Sequence, residues 1–187
     1  GTNGKSTTTE LIAHLVRRCG RPAEALGNLG TPLSQVVDDL PEDAVVSLEV
    51  SSFQLETVQE FQPKVGLVLN LAPDHLDRYP DLAAYYRAKE TLARIMGPQG
   101  TFITSTGCAE AREWHTAAQR LLFGQEEDGA AVFYRDDNLV IRSAAGEQVL
   151  LPVSELALQS PPNLLNALAG VAAGLARRFA SSSRLLE

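Results

Sequence analysis

Gly1-Thr2-Asn3-Gly4-Lys5-Ser6-Thr7 opens the sequence and decides how the rest is read. Gly4-Lys5-Ser6 matches the closing half of a phosphate-binding loop, in which backbone N–H groups wrap a polyphosphate, the lysine reaches its outer phosphates and the hydroxyl holds Mg²⁺. Each residue type has a physical reason. Glycine lets the backbone approach the ligand, lysine adds a mobile positive charge, and the following helix turns its N-terminus toward the anion. Thr8, Leu11, Ile12, Leu15, Val16 and Cys19 then recur at helical spacing, so a helix starts at the loop. The plainer alternative is a glycine-rich cap with a solvated lysine; the loop-to-helix context favours phosphate binding. Such a loop is normally fed by a buried strand. The sequence begins at the loop itself, so the expectation is a piece of a longer protein.

Outward from the loop, Arg21 to Leu26 is ambiguous and Gly27-Asn28-Leu29-Gly30 reads as a turn. Thr31 as N-cap with Pro32 behind it predicts a helix to about Leu40. Ala44–Val50 and Lys64–Leu71 read as buried parallel strands, joined through the polar and aromatic connection Ser51-Ser52-Phe53-Gln54-Leu55-Glu56. Ala72 to Pro80 is a polar loop, and Asp81 begins a helix to about Met96 that Gly97-Pro98-Gln99-Gly100 ends. Thr101–Thr104 predicts a third strand and Glu110–Arg120 a further helix. Ala131–Tyr134, Leu139–Arg142 and Gln148–Pro152 carry a β-meander pattern. Asn163–Phe179 places Leu164, Leu168, Val171, Leu175 and Phe179 on one helical stripe. The fold class is therefore α/β: a doubly wound, mostly parallel sheet with a small antiparallel β annex. Residues 1–180 form one domain, and Ser181-Ser182-Ser183 starts a linker running through 187. In such sheets ligands bind beyond the carboxyl ends of the strands, which gathers the loop, Glu49 with Ser51 and Ser52, and Asp74 with His75.

Composition narrows the function classes. The chain has 187 residues, 44% hydrophobic and 21% charged, which suits one sizeable core. The formal charge of −7 argues against a nucleic-acid surface, though not against a nucleotide pocket with its own local lysines. The apolar stretches are strand-length, so no membrane partner is expected. Cys19 and Cys108 lack metal-site spacing and fit a reduced, cytoplasmic protein.

Glu49 interrupts an otherwise apolar strand. A carboxylate there calls for compensation, either by Mg²⁺ bound to nucleotide phosphates or by a salt bridge at the strand end. Lys89 falls on the apolar stripe of Leu82, Tyr85, Leu92 and Met96, where it either snorkels to the edge or is desolvated. Desolvation would favour the neutral amine, which can take up CO₂ as a carbamate and so become an anionic Mg²⁺ ligand. His75 could bind metal, accept a proton or hydrogen-bond a carbonyl. Asn163 could cap its helix or, with Asn166 three residues on, meet a nucleotide.

Gly-Thr-Asn-Gly-Lys-Ser-Thr at 1–7, Glu-Val-Ser-Ser-Phe-Gln-Leu-Glu at 49–56, Leu-Asn at 69–70 before Asp-His-Leu-Asp-Arg-Tyr at 74–79, Tyr-Arg-Ala-Lys at 86–89 and Asn-Leu-Leu-Asn-Ala-Leu-Ala at 163–169 together resemble the Mur ligases of peptidoglycan synthesis. The resemblance covers the central ATP-binding domain of a three-domain enzyme, and the fragment by itself is expected to be inactive. Ser-Ser-Phe-Gln-Leu-Glu and Asp-His-Leu-Asp-Arg-Tyr point to the member that joins D-glutamate to UDP-N-acetylmuramoyl-L-alanine through an acyl phosphate. Other Mur ligases, a folylpolyglutamate synthase-like ligase and a P-loop ATPase or nucleotide-binding module are the alternatives. The resemblance implies that Gly1, Thr2, Asn3, Gly4, Lys5, Ser6 and Thr7 bind the ATP phosphates, with Asn163 and Asn166 near the nucleotide. It implies catalytic roles for Lys5, Glu49, His75 and Lys89, and two Mg²⁺ sites drawing on Ser6, Glu49, His75 and carbamylated Lys89. Asn28 and Ser51 match substrate-contacting positions. A cytoplasmic monomer is expected. Ser160-Pro161-Pro162-Asn163 departs from the family's usual Gly-x-His-Asn and lacks that histidine.

Overall fold

A computed structural model describes residues 2–28, 30–74, 77–126, 129–157 and 159–177. From the loop, α1 (Lys5–Arg18) leads to β1 (Ala23–Gly27), a short α2 (Leu33–Val36) and β2 (Val45–Glu49). Then come α3 (Ser52–Glu56), β3 (Val65–Val68), α4 (Leu82–Arg94), β4 (Thr101–Ser105) and α5 (Ala109–Glu113). Strands β5 (Gln119–Gln125), β6 (Ala130–Arg135), β7 (Asn138–Ser143) and β8 (Gly146–Pro152) precede α6 (Pro161–Arg177).

The α/β class and the parallel core follow the sequence, with two differences in how the strands join. β1 and β2 pair in parallel as a separate sheet, while β3 to β8 form a second sheet in sequence order, parallel from β3 to β6 and antiparallel from β6 to β8. The antiparallel annex is thus hydrogen-bonded into the main sheet. Strand alternation gives that sheet two apolar faces. Ile103, Phe123 and Val132 pack under Leu168 and Ala172 of α6, whereas Val68 and Phe102 pack against Ala93, Met96, Ala111 and Trp114 on the opposite side. Helices on both faces make the sheet doubly wound.

Five local expectations change. The ambiguous segment 21–26 supplies β1, because its residues pair in register with β2 from Ala23 opposite Val45 to Gly27 opposite Glu49. The helix expected over 31–40 is one α-turn followed by a 3₁₀ turn at Val37–Asp39, with Pro32 as its N-cap and no side-chain cap from Thr31. The helix expected over 110–120 stops at Glu113, and Gln119 onward becomes β5 because it pairs beside β4, a long-range contact that local periodicity does not carry. Asn163 does not cap α6, which begins at Pro161; the two prolines sit in the first turn, where a missing N–H costs nothing. Residues 51–56, read as a connection, form α3 with a capping box: the Ser51 hydroxyl accepts from Gln54 N–H while the Gln54 side chain accepts from Ser51 N–H.

Candidate functional site

The loop backbone makes the sharp entry that its glycine allows. Gly4 lies at φ 80°, and a Cβ there would stand 2.4 Å from Asn166 Oδ1. The first helical hydrogen bond of α1 runs from Thr8 N–H to Gly4 C=O at 3.0 Å, which leaves the preceding N–H groups without helical partners. Lys5 Nζ donates to Thr2 C=O at 3.1 Å, so the ammonium folds back over the loop.

Glu49 ends β2 and is only 5% exposed. Its carboxylate accepts from Ser6 Oγ at 2.7 Å and from Asn28 Nδ2 at 3.2 Å, one bond to each oxygen. Gly27, opposite Glu49 across the strand pair, has φ 123°, and a Cβ would meet Glu49 O at 2.2 Å. Close approach of the two strand ends therefore requires glycine there. The salt-bridge alternative for Glu49 gives way to a carboxylate held by a hydroxyl and an amide.

Lys89 lies 7% exposed on α4, with Nζ 4.5 Å from the Tyr85 ring centroid. The desolvated alternative holds, and snorkelling does not. Burial first, then repulsion from Lys5, lowers the Lys89 pKa to about 8, with Asp74 opposing the shift. About one amine in ten is then neutral at pH 7, against fewer than one in a thousand for an unperturbed lysine. Phe53 stacks on Tyr79 and Tyr79 tilts onto Tyr85, so aromatic contacts tie α3 and the segment before α4 to the base of Lys89.

Asn166 is buried and accepts from Thr8 Oγ1 at 3.2 Å, while its amide donates to Asn163 Oδ1 at 3.4 Å. It sits beneath the loop and Asn163 lies one turn further out, bonded to Ser160. Ser51 is spent on the α3 cap, and Asn28 on Glu49. His75 and Gly1 fall outside the described residues, as do 181–187. Sequence reasoning quoted one participant within the resemblance but gave it no role. Asn70, just beyond β3, accepts through Oδ1 from the N–H groups of Thr2 at 3.1 Å and Asn3 at 2.9 Å, and donates to Asn3 C=O at 3.0 Å. The signal available was a polar residue leaving an apolar strand.

Lys5, Glu49, Ser52 and Lys89 border one end of a cavity of about 520 Å³, whose long walls are β2 and β3. Among the described residues no cluster of three or more His, Cys, Asp or Glu side chains could hold a metal. Glu49 and Ser6 present a carboxylate and a hydroxyl together. Those hard oxygen donors suit Mg²⁺, which typically takes one or two protein carboxylates and completes its shell with phosphate and water.

The Mur ligase middle domain family matches residues 1–174. The chain belongs to the Mur ligase family. A Mur ligase from Koribacter versatilis, UDP-N-acetylmuramoylalanine--D-glutamate ligase, is 34% identical over 184 residues, covering 96% of this chain and 40% of that protein. The chain thus spans about 40% of the length of that curated relative. Among solved Mur ligases, UDP-N-acetylmuramoyl-L-alanyl-D-glutamate--2,6-diaminopimelate ligase superposes with a TM-score of 0.76 at 21% identity, covering all of this chain and 44% of that one. The MurF ligase of Thermotoga maritima in complex with ADP gives a TM-score of 0.69 at 17% identity, covering all of this chain and 46% of that one. At such identities the structural likeness establishes the Mur ligase fold alone.

Proposed function

We propose that residues 1–180 are the central ATP-binding domain of a ligase that joins D-glutamate to UDP-N-acetylmuramoyl-L-alanine in peptidoglycan synthesis, with 181–187 opening an interdomain linker. The observation that carries this reading is the meeting of Glu49 with Ser6 of the phosphate loop, at the end of a cavity that Lys5 and Lys89 also border. The D-glutamate specificity rests on the relative at 34% identity. The substrate carboxylate takes the γ-phosphoryl group of ATP to give an acyl phosphate and ADP, and the D-glutamate amine then attacks the acyl carbon and displaces phosphate.

The chain's own residues have definite tasks in this scheme. The first step brings two anions together, and unit charges about 4 Å apart repel by roughly 4 kcal/mol at an effective dielectric of 20. Lys5 offsets part of that repulsion from the loop side. Glu49 and Ser6 would hold Mg²⁺, which neutralises the approaching negative charges. The lowered pKa of Lys89 supports a carbamate at its amine: the neutral nitrogen bonds the carbon of CO₂ and releases a proton, turning a positive group negative. With His75 it would serve a second Mg²⁺. Asn166 supports the loop from beneath through Thr8 and, with Asn163, would meet the nucleotide. Asn28, bonded to Glu49, and Ser51, the cap of α3, would contact the muramoyl substrate. No helix among the described residues is long and apolar enough to cross a membrane. A cytoplasmic, monomeric enzyme without nucleic-acid partners completes the reading.

The test is amino-acid-dependent ADP release by the full-length protein. D-glutamate should drive turnover only when UDP-N-acetylmuramoyl-L-alanine and Mg²⁺ are present. Turnover driven by a different amino acid, or phosphate release without an acceptor carboxylate, would overturn it in favour of another ligase or an ATPase.

A further inference from the structure

The loop that should embrace the polyphosphate has already committed its first amides. Thr2 N–H is shared between Asn70 Oδ1 at 3.1 Å and Asn70 C=O at 3.0 Å, and Asn3 N–H goes to Asn70 Oδ1 at 2.9 Å. The Asn70 amide returns a bond to Asn3 C=O at 3.0 Å, so this one side chain makes three contacts with two consecutive loop residues. A second clasp lies beside it. Thr2 Oγ1 donates to Ala72 C=O at 3.2 Å and accepts from Ala72 N–H at 3.1 Å. The front half of the loop is thus stapled to the exit of β3, across 67 to 70 positions of sequence.

An N–H that donates within the protein does not also face a ligand at full strength. Past the staple, α1 makes its first helical bond at Thr8 N–H, so the N–H groups of Gly4, Lys5, Ser6 and Thr7 have no helical acceptor. They point the same way as the helix dipole, toward an anion. We propose that Asn70 is a positioning residue that withdraws Thr2 and Asn3 from the anion site and thereby makes Gly4 to Thr7 the amides that meet the polyphosphate. Asparagine suits the task because its side chain offers an acceptor and a donor together. Aspartate would keep the acceptor, lose the bond to Asn3 C=O and bring a negative charge beside the phosphates. Alanine would release both N–H groups and the front of the loop.

The proposal rests on the reading of the loop as a nucleotide-polyphosphate site, so its test separates the two. Amide hydrogen exchange is followed in the full-length protein with and without saturating ADP and Mg²⁺. Thr2 and Asn3 should be protected already in the free protein and change little, while Gly4 to Thr7 gain at least about tenfold in protection on binding. Equal gains at Thr2 and Asn3 would overturn the role of Asn70. A loop with no response at all would take down the nucleotide reading and the proposal with it. In steady state, Asn70→Ala and Asn70→Asp should each raise the KM for ATP by about tenfold or more while the KM for D-glutamate stays within about twofold, a split that general destabilisation does not produce. An unchanged KM for ATP in both variants would equally overturn it.

Discussion

Ser6 Oγ donates to Glu49 Oε2 at 2.7 Å, across 43 positions of sequence, and so joins the start of α1 to the end of β2. The bond ties the loop hydroxyl and the buried carboxylate into one unit of hard oxygen donors. Glu49→Gln keeps the shape and the Ser6 contact but removes the charge. We expect ligation by the full-length enzyme to fall by about a hundredfold, with half-maximal activity moved to higher Mg²⁺, because the metal loses an anionic donor. Initial rates across a Mg²⁺ titration check this; unchanged Mg²⁺ dependence would remove Glu49 from metal binding.

Lys89 carries a cost of burial that a neutral residue would not. Lys89→Met should raise the melting temperature of the full-length protein, by a gain on the order of 2 kcal/mol, while abolishing ligation. The sign of the pH effect follows from the lowered pKa. The folded protein releases the Lys89 proton near pH 8, whereas the unfolded chain holds it to its ordinary value of 10.5. The destabilisation is therefore fully present below about pH 8 and fades as pH rises toward 10.5. Denaturation of wild type and variant at pH 7 and pH 9.5 should show the gap narrowing at the higher pH.

Gly27 allows Glu49 its place. Gly27→Ala puts a Cβ at φ 123° and within 2.2 Å of Glu49 O, so strain and collision act together. A loss of about 2–4 kcal/mol is expected, with activity reduced beyond what the lost stability explains because Glu49 is displaced. Thermal unfolding alongside activity at a permissive temperature measures both.

β2 pairs only with β1, and β3 only with β4, among the described residues, and their free edges face each other across the cavity of about 520 Å³. A strand feeding the loop from its N-terminal side would run between them, in line with the Thr2 N–H to Asn70 C=O bond. Residues 1–187 alone should therefore show no ligase activity. Extension by the segment preceding the loop in the full-length protein should slow amide exchange in Val45–Glu49 and Val65–Val68. Identical exchange with and without the extension would refute this.

The loop, α1, the strands around Glu49 and Val68, and α4 with its Asp81 cap were legible because each is signalled within a few residues: a motif, a period, a capping side chain. β1 and β5 were not, since both are strands by virtue of partners that lie far along the chain. The site divides in the same way. Lys5, Ser6 and Glu49 stood out by residue type in context, while Asn70 did not, because its role consists wholly of bonds to residues 67 and 68 positions away. For Asn28 and Asn166 the structure adds duties, holding Glu49 and supporting the loop, that no spacing revealed, whereas the Ser51 cap of α3 is written in the Ser-x-x-Gln spacing of 51–54.

By itself the sequence determined the α/β class and marked the opening loop as a candidate phosphate-binding loop, because glycine conformation, side-chain charge and hydrophobic period act over short stretches. Only the tertiary structure decided that Lys89 is desolvated rather than snorkelling, that Glu49 closes on Ser6, and that Asn70 staples the loop. Burial and hydrogen-bond pairing depend on which distant segments the fold brings into contact, and that information is absent from any local window of the chain.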